Sequence, residues 1–488
     1  MSISSQHAIF SSYEKNPELH DEIFNAQGEV KPLYRKLFEL YGEHSISDFE
    51  KLNNKAKASF FNQGITFQVY GDQESKEKIF PFDLFPRIID AEEWEHIERG
   101  AIQRARALNL FLEDVYHDKK ILKQGLVPVE LLSSSVNYLH QMMQVNPPGG
   151  IYNHISGTDL IKHKDGKYYV LEDNIRCPSG VSYVVCNRTA LKRALFGVFN
   201  HYQAHTVTNY AENLLDIMES VKPKGVDIPN CVVLTPGIYN SAYYEHSYLA
   251  KAMGVELVEG RDLFVENDFV YMKTINGPER VDVIYRRVDD QFIDPLTFKP
   301  DSTLGVAGLF SAYRQGNVSL VNAPGTGVAD DKAVYTYMPE IIRYYLDEEP
   351  ILNNVHTYHC SRPKELQYVL DNIKKLVIKP VDEAGGYGIS IGNKLTQEEI
   401  KKVQEEVKAN PRKYIAQPIM SLSVHATYIE DSNSFEQRHV DLRTFTLLGK
   451  DKEFVLKGGL TRVALKKGNL IVNSSQGGGS KDTWVLKS

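Results

Sequence analysis

Between Asp159 and Gly180 the chain reads DLIKHKDGKYYVLEDNIRCPSG. Asp165-Gly166, set between runs rich in Ile, Tyr and Val, is a strong signal for a two-residue hairpin of the type I′ class. A turn that tight pairs Lys164 with Lys167, and every other pair follows from it. Counting outward places Asp159 opposite Glu172. Side chains alternate along a strand, so Glu172 and Asn174 share a face while Asp173 points the other way. Facing residues have Cβ atoms about 4.5–5.5 Å apart, and like charges set there repel. Two carboxylates and an amide oxygen on one spot make a poor structural pair but a good site for a hard cation. Mg²⁺ takes oxygen ligands and is usually held by one or two carboxylates together with substrate phosphates. The competing reading is a solvated hairpin face.

Composition narrows the setting. The chain has 488 residues, which suggests about three domain-sized units. Hydrophobic residues make up 42% and charged residues 24%, ordinary for a soluble protein with a real core. A net charge of −7 provides no bulk basic field for nucleic acid. Cys177, Cys186, Cys231 and Cys360 are too scattered for a disulfide framework or a zinc cluster. The N-terminal MSISSQHAIFSSYEKN lacks the basic start and apolar run of a secretory signal, and no stretch is long and apolar enough to span a membrane. A cytoplasmic protein that binds neither membrane nor nucleic acid is the expectation.

Residues 1–145 read as mostly helical, with LYRKLFELYG, EEWEHIERGAIQRARALNLFLEDVYHDKKIL and VELLSSSVNYLHQMM spacing apolar residues at three and four. In the second of these, Ile102, Ala105, Leu108, Leu112 and Val115 share a face, and Arg99, Arg104 and Arg106 lie outside it. Asn146-Pro147-Pro148-Gly149-Gly150 breaks the helix and leads into a unit spanning 146–222, the hairpin and the helices after it. Residues 223–330 change character: CVVLTP, VELVEG, FVYMK and VDVIYRRV are strands alternating with helix, the pattern of a parallel α/β unit. Ligands in such sheets gather at strand ends, here Thr235-Pro236-Gly237 and Arg286-Arg287. The remaining unit, 331–488, opens with Asp331-Lys332 and a helix, and from about 363 is β-rich with one helix, TQEEIKKVQEEVKANP.

LVIKPVDEAGGYGISIG, residues 376–392, is a strand, a glycine loop and a second strand. Lys379 ends the first strand; Gly385, Gly386 and Gly388 let backbone approach a ligand closely. It is neither a Walker A loop nor G-x-G-x-x-G. A glycine hairpin beside a lysine still covers phosphates with its amides while the ammonium supplies a point charge. YIAQPI follows, with Gln417 and Pro418 in a segment suited to a purine edge, where proline argues against a central strand. HVDLRTFTLLG places Asp441 and Arg443 on one face. GGLTRVAL adds Arg462, and VNSSQGGGSKDTWVL adds Asn473, Ser474, Ser475, Gln476 and Lys481. So many polar and cationic positions in strand pattern favour ligand binding over a merely polar sheet surface.

In order and kind these motifs resemble the ATP-grasp fold, specifically its circularly permuted branch. Ordinary members run lysine strand, glycine loop, adenine hinge, Asp-x-Arg strand, arginine strand and last an acidic Glu-x-Asn strand. Here Lys379, Gly385-Gly386-Tyr387-Gly388, Gln417-Pro418-Ile419, Asp441-x-Arg443, Arg462 and Asn473 keep that order, while Asp159, Glu172 and Asn174 stand upstream. The resemblance covers essentially residues 80–488 and implies an α/β, circularly permuted ATP-grasp core with a mostly helical N-terminal region and an inserted α/β pre-grasp domain at 231–325. It implies that Lys379 and Lys332 contact ATP phosphates, that the 385–388 loop closes over them, and that Gln417, Pro418 and Ile419 hold adenine. Asp159, Glu172 and Asn174 would coordinate Mg²⁺, with Mn²⁺ as an alternative. Arg443 and Arg462, with Lys379, would stabilise the transferring phosphoryl group and the acyl-phosphate it forms.

The activity implied is that of an ATP-dependent carboxylate–amine ligase making a peptide-like amide and releasing ADP and phosphate, distantly similar to glutathionylspermidine synthase. Its partners would be a small or peptidic carboxylate and an amine. The alternatives are a phosphotransferase with another acceptor and a non-catalytic nucleotide-binding protein. Cys177 reads as structural. Thr235 to Asn240, Tyr244, Arg286-Arg287 and 474–479 are candidates for the acceptor side, and Arg87 and Arg104 for a carboxylate contact.

Overall fold

The computed structural model describes residues 8–10, 13–42, 44–67, 78–382, 387–470, 472 and 478–488. The acidic hairpin is present as the strands Ile155–Lys162 and Tyr168–Asn174. Its turn differs from the expectation. The His163 amide donates to Lys167 O at 2.9 Å and the Gly166 amide to His163 O at 2.8 Å, so the loop has three residues, with Gly166 left-handed at φ +78°. That loop alone would slide Asp159 opposite Leu171. A bulge restores the register: Leu160 faces Val170, but Asp159 faces Glu172. The extra residue, Leu171, then lines the same cleft as Glu172.

The hairpin is built into a mixed sheet of nine strands among the described residues. The long strand Ser434–Leu448 pairs antiparallel with Ile155–Lys162 on one side, setting Arg443 against Asp159. On the other side it meets Leu460–Val463, setting Asp441 against Arg462. Leu460–Val463 pairs with Gly479–Val485, and that strand runs parallel to Phe82–Ile89.

Phe82–Ile89 corrects the mostly helical reading of the first 145 residues. All but Phe82 of its residues are buried, so its sequence, FDLFPRII, lacks the alternation of a half-exposed strand. Pro86 inside it lies beside the register irregularity between Lys481 and Thr483. The helix Ala91–Tyr116 forms as expected, started by Asp90, whose carboxylate accepts the Glu93 amide at 2.8 Å. Arg99 and Arg106 are exposed on it, whereas Arg104 is buried. The segment from Val129 is helical only to Ser133, followed by a 3₁₀ turn at His140–Met142. The Ser134 hydroxyl takes the Glu130 carbonyl at 2.5 Å, the local competition that shortens serine-rich helices.

Four parallel strands, in the order Glu256–Val258, Cys231–Leu234, Val283–Arg286 and Ser319–Val321, form the α/β unit. Phe269–Thr274 is not part of it and pairs in a separate antiparallel sheet with Leu263–Glu266 and Gly277–Val281. Asn322, just past Val321, ties this unit to the hairpin. Its Nδ2 donates to Ile155 O at 2.8 Å and Ile175 O at 2.7 Å, and its Oδ1 accepts the Ile155 amide at 2.7 Å.

The lysine strand Leu376–Pro380 lies in a four-stranded sheet between Tyr414–Pro418 and Ser390–Ile391. Two helices, not one, accompany it: Gln397–Ala409 and Pro363–Asn372, the second begun by its proline. Tyr414–Pro418 is interior to the sheet, against the expectation. Its other neighbour, Tyr358–His359, reaches only Ile415 and Ala416, so Pro418 is spared a missing ladder bond.

Candidate nucleotide and acyl-transfer site

Between the nine-stranded sheet and the lysine-strand sheet opens a cleft. One wall carries Asp159, Leu171, Glu172, Asp441 and Arg462; the other carries Lys379, Tyr387, Gln417 and Pro418. Lys332 joins them, its backbone amide donating to Val381 O at 3.1 Å and its Nζ lying 3.3 Å from Glu172 Oε2.

The Lys379 side chain is buried, with no ion pair or hydrogen bond from its Nζ to a described residue. Burial pushes its ammonium down to about 8; neighbouring Lys332 adds to this, while Glu172 and Asp159 oppose it. A buried cation without a bonded counter-ion is an anion site in waiting. Lys379 therefore sheds its proton well before an ordinary lysine, and an anion that needs the charged form must restore it. Affinity for Mg–ATP is expected to fall as pH rises above about 8, by up to ~10-fold per unit, with proton uptake on binding. Calorimetry in buffers of different ionisation enthalpy reads that uptake. A pH-independent affinity between 7 and 10 would remove Lys379 from the phosphate site.

Asp441, Arg462, Asp159 and Arg443 alternate in charge. Arg462 Nε donates to Asp441 Oδ1 at 2.9 Å, and its Nη2 donates to Asp441 Oδ2 and, at 2.8 Å, to Asp159 Oδ2. Arg443 grips Asp159 through Nε at 2.6 Å and Nη2 at 2.8 Å, and reaches Ser179 O at 3.3 Å. Burial opposes ionisation of Asp159, but the two guanidiniums hold its carboxyl well below the usual carboxylate range. Arg462 lines the cleft; Arg443 is not among its lining residues and stands behind Asp159.

The metal candidates divide on their lone pairs. Asp159 already accepts three N–H groups. Glu172 is ion-paired with Lys332 alone among the described residues, and Asn174 donates through Nδ2 to Gly157 O at 3.2 Å, which leaves its Oδ1 as an acceptor. This all-oxygen set suits Mg²⁺ or Mn²⁺. No three His, Cys, Asp or Glu side chains gather as a metal cage among the described residues, so the cation would depend on phosphate oxygens as well.

At the other end of the cleft, Gln417 Nε2 donates to Thr357 Oγ1 at 3.0 Å, and Pro418 lines the wall. The Ile419 amide is taken by Lys375 O at 3.0 Å. Val377, Ile389, Ile391, Met420, Leu422, Leu470 and Val472 supply an apolar lining that the short sequence motifs do not announce. The period-two run Pro418, Met420, Leu422 was a usable signal. Gly385, Gly386 and Asn473 to Gln476 lie outside the described residues, while Gly388 lines not this cleft but a neighbouring pocket that Tyr387 shares.

Several candidates have structural employment instead. Arg87 forks onto Glu22 at 2.7 and 2.6 Å, and Arg104 onto Asp173 at 3.0 and 2.5 Å, so neither is open to a substrate carboxylate. Lys481 is fully buried against Asp83, Phe85 O and Ala426 O. Arg286 spends its nitrogens on the Asn322, Val288 and Ala323 carbonyls. Arg287 reaches Pro178 O, Tyr285 and Ser179. Glu245, wholly buried, accepts the Gly180 and Ser182 amides at 2.8 and 3.0 Å and so caps the helix Val181–Ala194 from another element. Burial raises the Cys177 thiol, the opposite of an activated nucleophile.

Among the described residues no helix is long and apolar enough to cross a membrane. In sequence the chain is 50% identical over 468 residues to an uncharacterised protein of Synechocystis, covering 96% of this chain and 97% of that one. It is 39% identical over 472 residues to a Frankia alni protein provisionally named glutamate–cysteine ligase 2-3, covering 96% of this chain but only 54% of the longer Frankia protein. In structure it matches an apo-form glutathione synthetase-like effector from Globodera pallida with a TM-score of 0.58 at 11% identity, over 91% of this chain and 98% of that one. The family model described as circularly permuted ATP-grasp type 2 matches residues 86–464. The lysine strand and the arginine strands lie beside an acidic hairpin that precedes them in sequence, as that permutation requires, and the chain belongs to the circularly permuted ATP-grasp type 2 family.

Proposed function

We propose that this protein is an ATP-dependent carboxylate–amine ligase. The carrying observation is the single cleft in which Lys379 and Arg462 meet Asp159 and Glu172, residues more than 200 positions apart in the chain. In this reading Lys379 and Lys332 neutralise the ATP phosphates, and Gln417, Pro418 and Ile419 bound the adenine end. Glu172 and Asp159 on the cleft wall, with Asn174 in the adjoining pocket, would hold Mg²⁺, which when bound supplies charge neutralisation between phosphates. Residues 146–222 and 331–488 form the grasp, 223–330 the pre-grasp unit, and 1–145 a supporting N-terminal region.

A carboxylate oxygen attacks the γ-phosphorus, the bond to the β,γ-bridging oxygen breaks, and ADP leaves with that electron pair. The amine nitrogen then attacks the acyl carbon, phosphate departs with the acyl oxygen's electron pair, and the amine's surplus proton passes to solvent. Arg462, held in place by Asp441 and Asp159, stabilises the charge that develops on the transferred group; Arg443 keeps Asp159 in position. The relatives named as glutamate–cysteine ligases support amino-acid substrates.

The test is ADP release with carboxylate alone, amine alone and both. Release that needs both is expected; release with one acceptor alone identifies a phosphotransferase. In parallel, Glu172→Ala and Lys379→Ala should each lose ~10- to 100-fold in Mg–ATP affinity by calorimetry. Folded variants that bind as well as wild type would separate the hairpin from the lysine strand and end the proposal.

A further inference from the structure

Arg176 lies two residues past Asn174, in the turn that leaves the acidic hairpin. Its Nε donates to Asp330 Oδ2 at 2.8 Å, while Asp330 Oδ1 accepts the Ile175 amide at 2.5 Å. One carboxylate thus fixes both the backbone and the guanidinium. Yet no described residue accepts from Nη1 or Nη2, and the side chain keeps 27% of its exposure. Arg87, Arg104 and Arg462, by contrast, each have terminal nitrogens bonded to carboxylates.

Beside Arg176 the Asn137 amide is likewise without a described partner. Gly327 holds the two together: a Cβ there would stand 2.6 Å from Arg176 Cδ and 3.2 Å from Asn137 Cβ. Both line a small polar pocket that shares Glu172 and Lys332 with the nucleotide cleft. Most of its carboxylates are already matched: Asp173 by Arg104, Glu172 by Lys332, Asp330 by Arg176 Nε. Asp382 is exposed. Arg176 Nη1 and Nη2 and the Asn137 side-chain amide are thus N–H donors of this pocket with no described partner.

We infer that Arg176, with Asn137 beside it, binds the carboxylate of a small amino acid or dicarboxylic acid, next to the phosphate end of the cleft. This rests on the ligase reading. The free edge of a guanidinium offers two parallel N–H groups, the complement of a carboxylate, and a guanidinium already oriented by Asp330 loses little freedom on binding. Arg443 and Arg462 are committed to Asp159, so the substrate's charge falls to Arg176.

The test uses the full chain saturated with Mg²⁺ and the non-hydrolysable analogue AMPPNP, titrated by calorimetry with L-glutamate, L-aspartate, glycine and succinate. At least one acid is expected to bind, and Arg176→Gln to weaken it ~10- to 100-fold with AMPPNP affinity unchanged. Arg176→Lys should recover part of the loss. Gly327→Ala, which displaces the guanidinium without removing its charge, should show the same selective defect and serves if Arg176→Gln fails to fold. Equal binding to Arg176→Gln, or no acid bound by nucleotide-loaded wild type, overturns the assignment while leaving the ligase reading intact. Binding of methylamine in place of the acids gives the cavity to the amine and also overturns it. Failure of wild type to bind AMPPNP at all removes the ligase reading itself, and the inference falls with it.

Discussion

Arg462→Met is expected to lower ligase turnover by about 10²–10⁴-fold and to destabilise the protein by ~3–5 kcal/mol. The two effects share a cause. Arg462 is the only residue bonded to both Asp441 and Asp159 among the described residues, and all three are buried. Its removal takes the guanidinium from Asp441, leaves Asp159 to Arg443, and strips the cleft of a positive charge. An uncompensated buried carboxylate costs far more than the net contribution of the intact pair. Arg462→Lys separates the two roles. It keeps one charge without the planar fork, so it should recover much of the stability and little of the turnover. Thermal unfolding with and without Mg–ATP, together with kcat, reads both. A folded Met variant with wild-type turnover would take Arg462 out of the chemistry.

A Lys481→Met variant should lose ~3–5 kcal/mol of stability while a folded fraction keeps its affinity for Mg–ATP. Lys481 Nζ donates to Asp83, to Ala426 O at 2.9 Å and to Phe85 O at 3.3 Å, and none of it reaches solvent. Methionine fills a similar volume but leaves Asp83 charged in a dry sheet. Adding Asp83→Asn should restore more than half the loss, since removing both charges is far cheaper than removing one. Denaturant midpoints for the two single variants and the double variant give the coupling. Had Lys481 been a ligand contact, as its polar surroundings suggested, the single variant would lose nucleotide and keep its stability.

That contrast shows where sequence was informative. The order of short motifs, Lys379 through Arg462 with Glu172 and Asn174 displaced upstream, carried the family because order survives folding. Asp159 opposite Glu172 was also legible, though through two compensating errors: a three-residue turn and a bulge at Leu171, each shifting the register by one. The distinction between a charge that awaits a ligand and one that is already spent was not legible. Arg87, Arg104 and Lys481 are satisfied by Glu22, Asp173 and Asp83, partners between about 60 and 400 residues away that no local pattern announces. Arg176 escaped notice for the same reason in reverse, because an arginine in a turn reads as solvated. Phe82–Ile89 was missed because a strand buried on both faces looks like any apolar run.

The parallel pairing of Phe82–Ile89 with Gly479–Val485 has a consequence for biogenesis. An early strand made by the ribosome must wait, its hydrogen-bonding edge unfilled, until residues 479–485 clear the exit tunnel. Closing so long a loop is slow, and an unpaired edge invites misassembly in the interval. Nascent chains stalled before that strand would carry every nucleotide-binding motif and no finished sheet to mount them on. The cleft between the sheets would take shape only once residues 479–485 have paired with Phe82–Ile89.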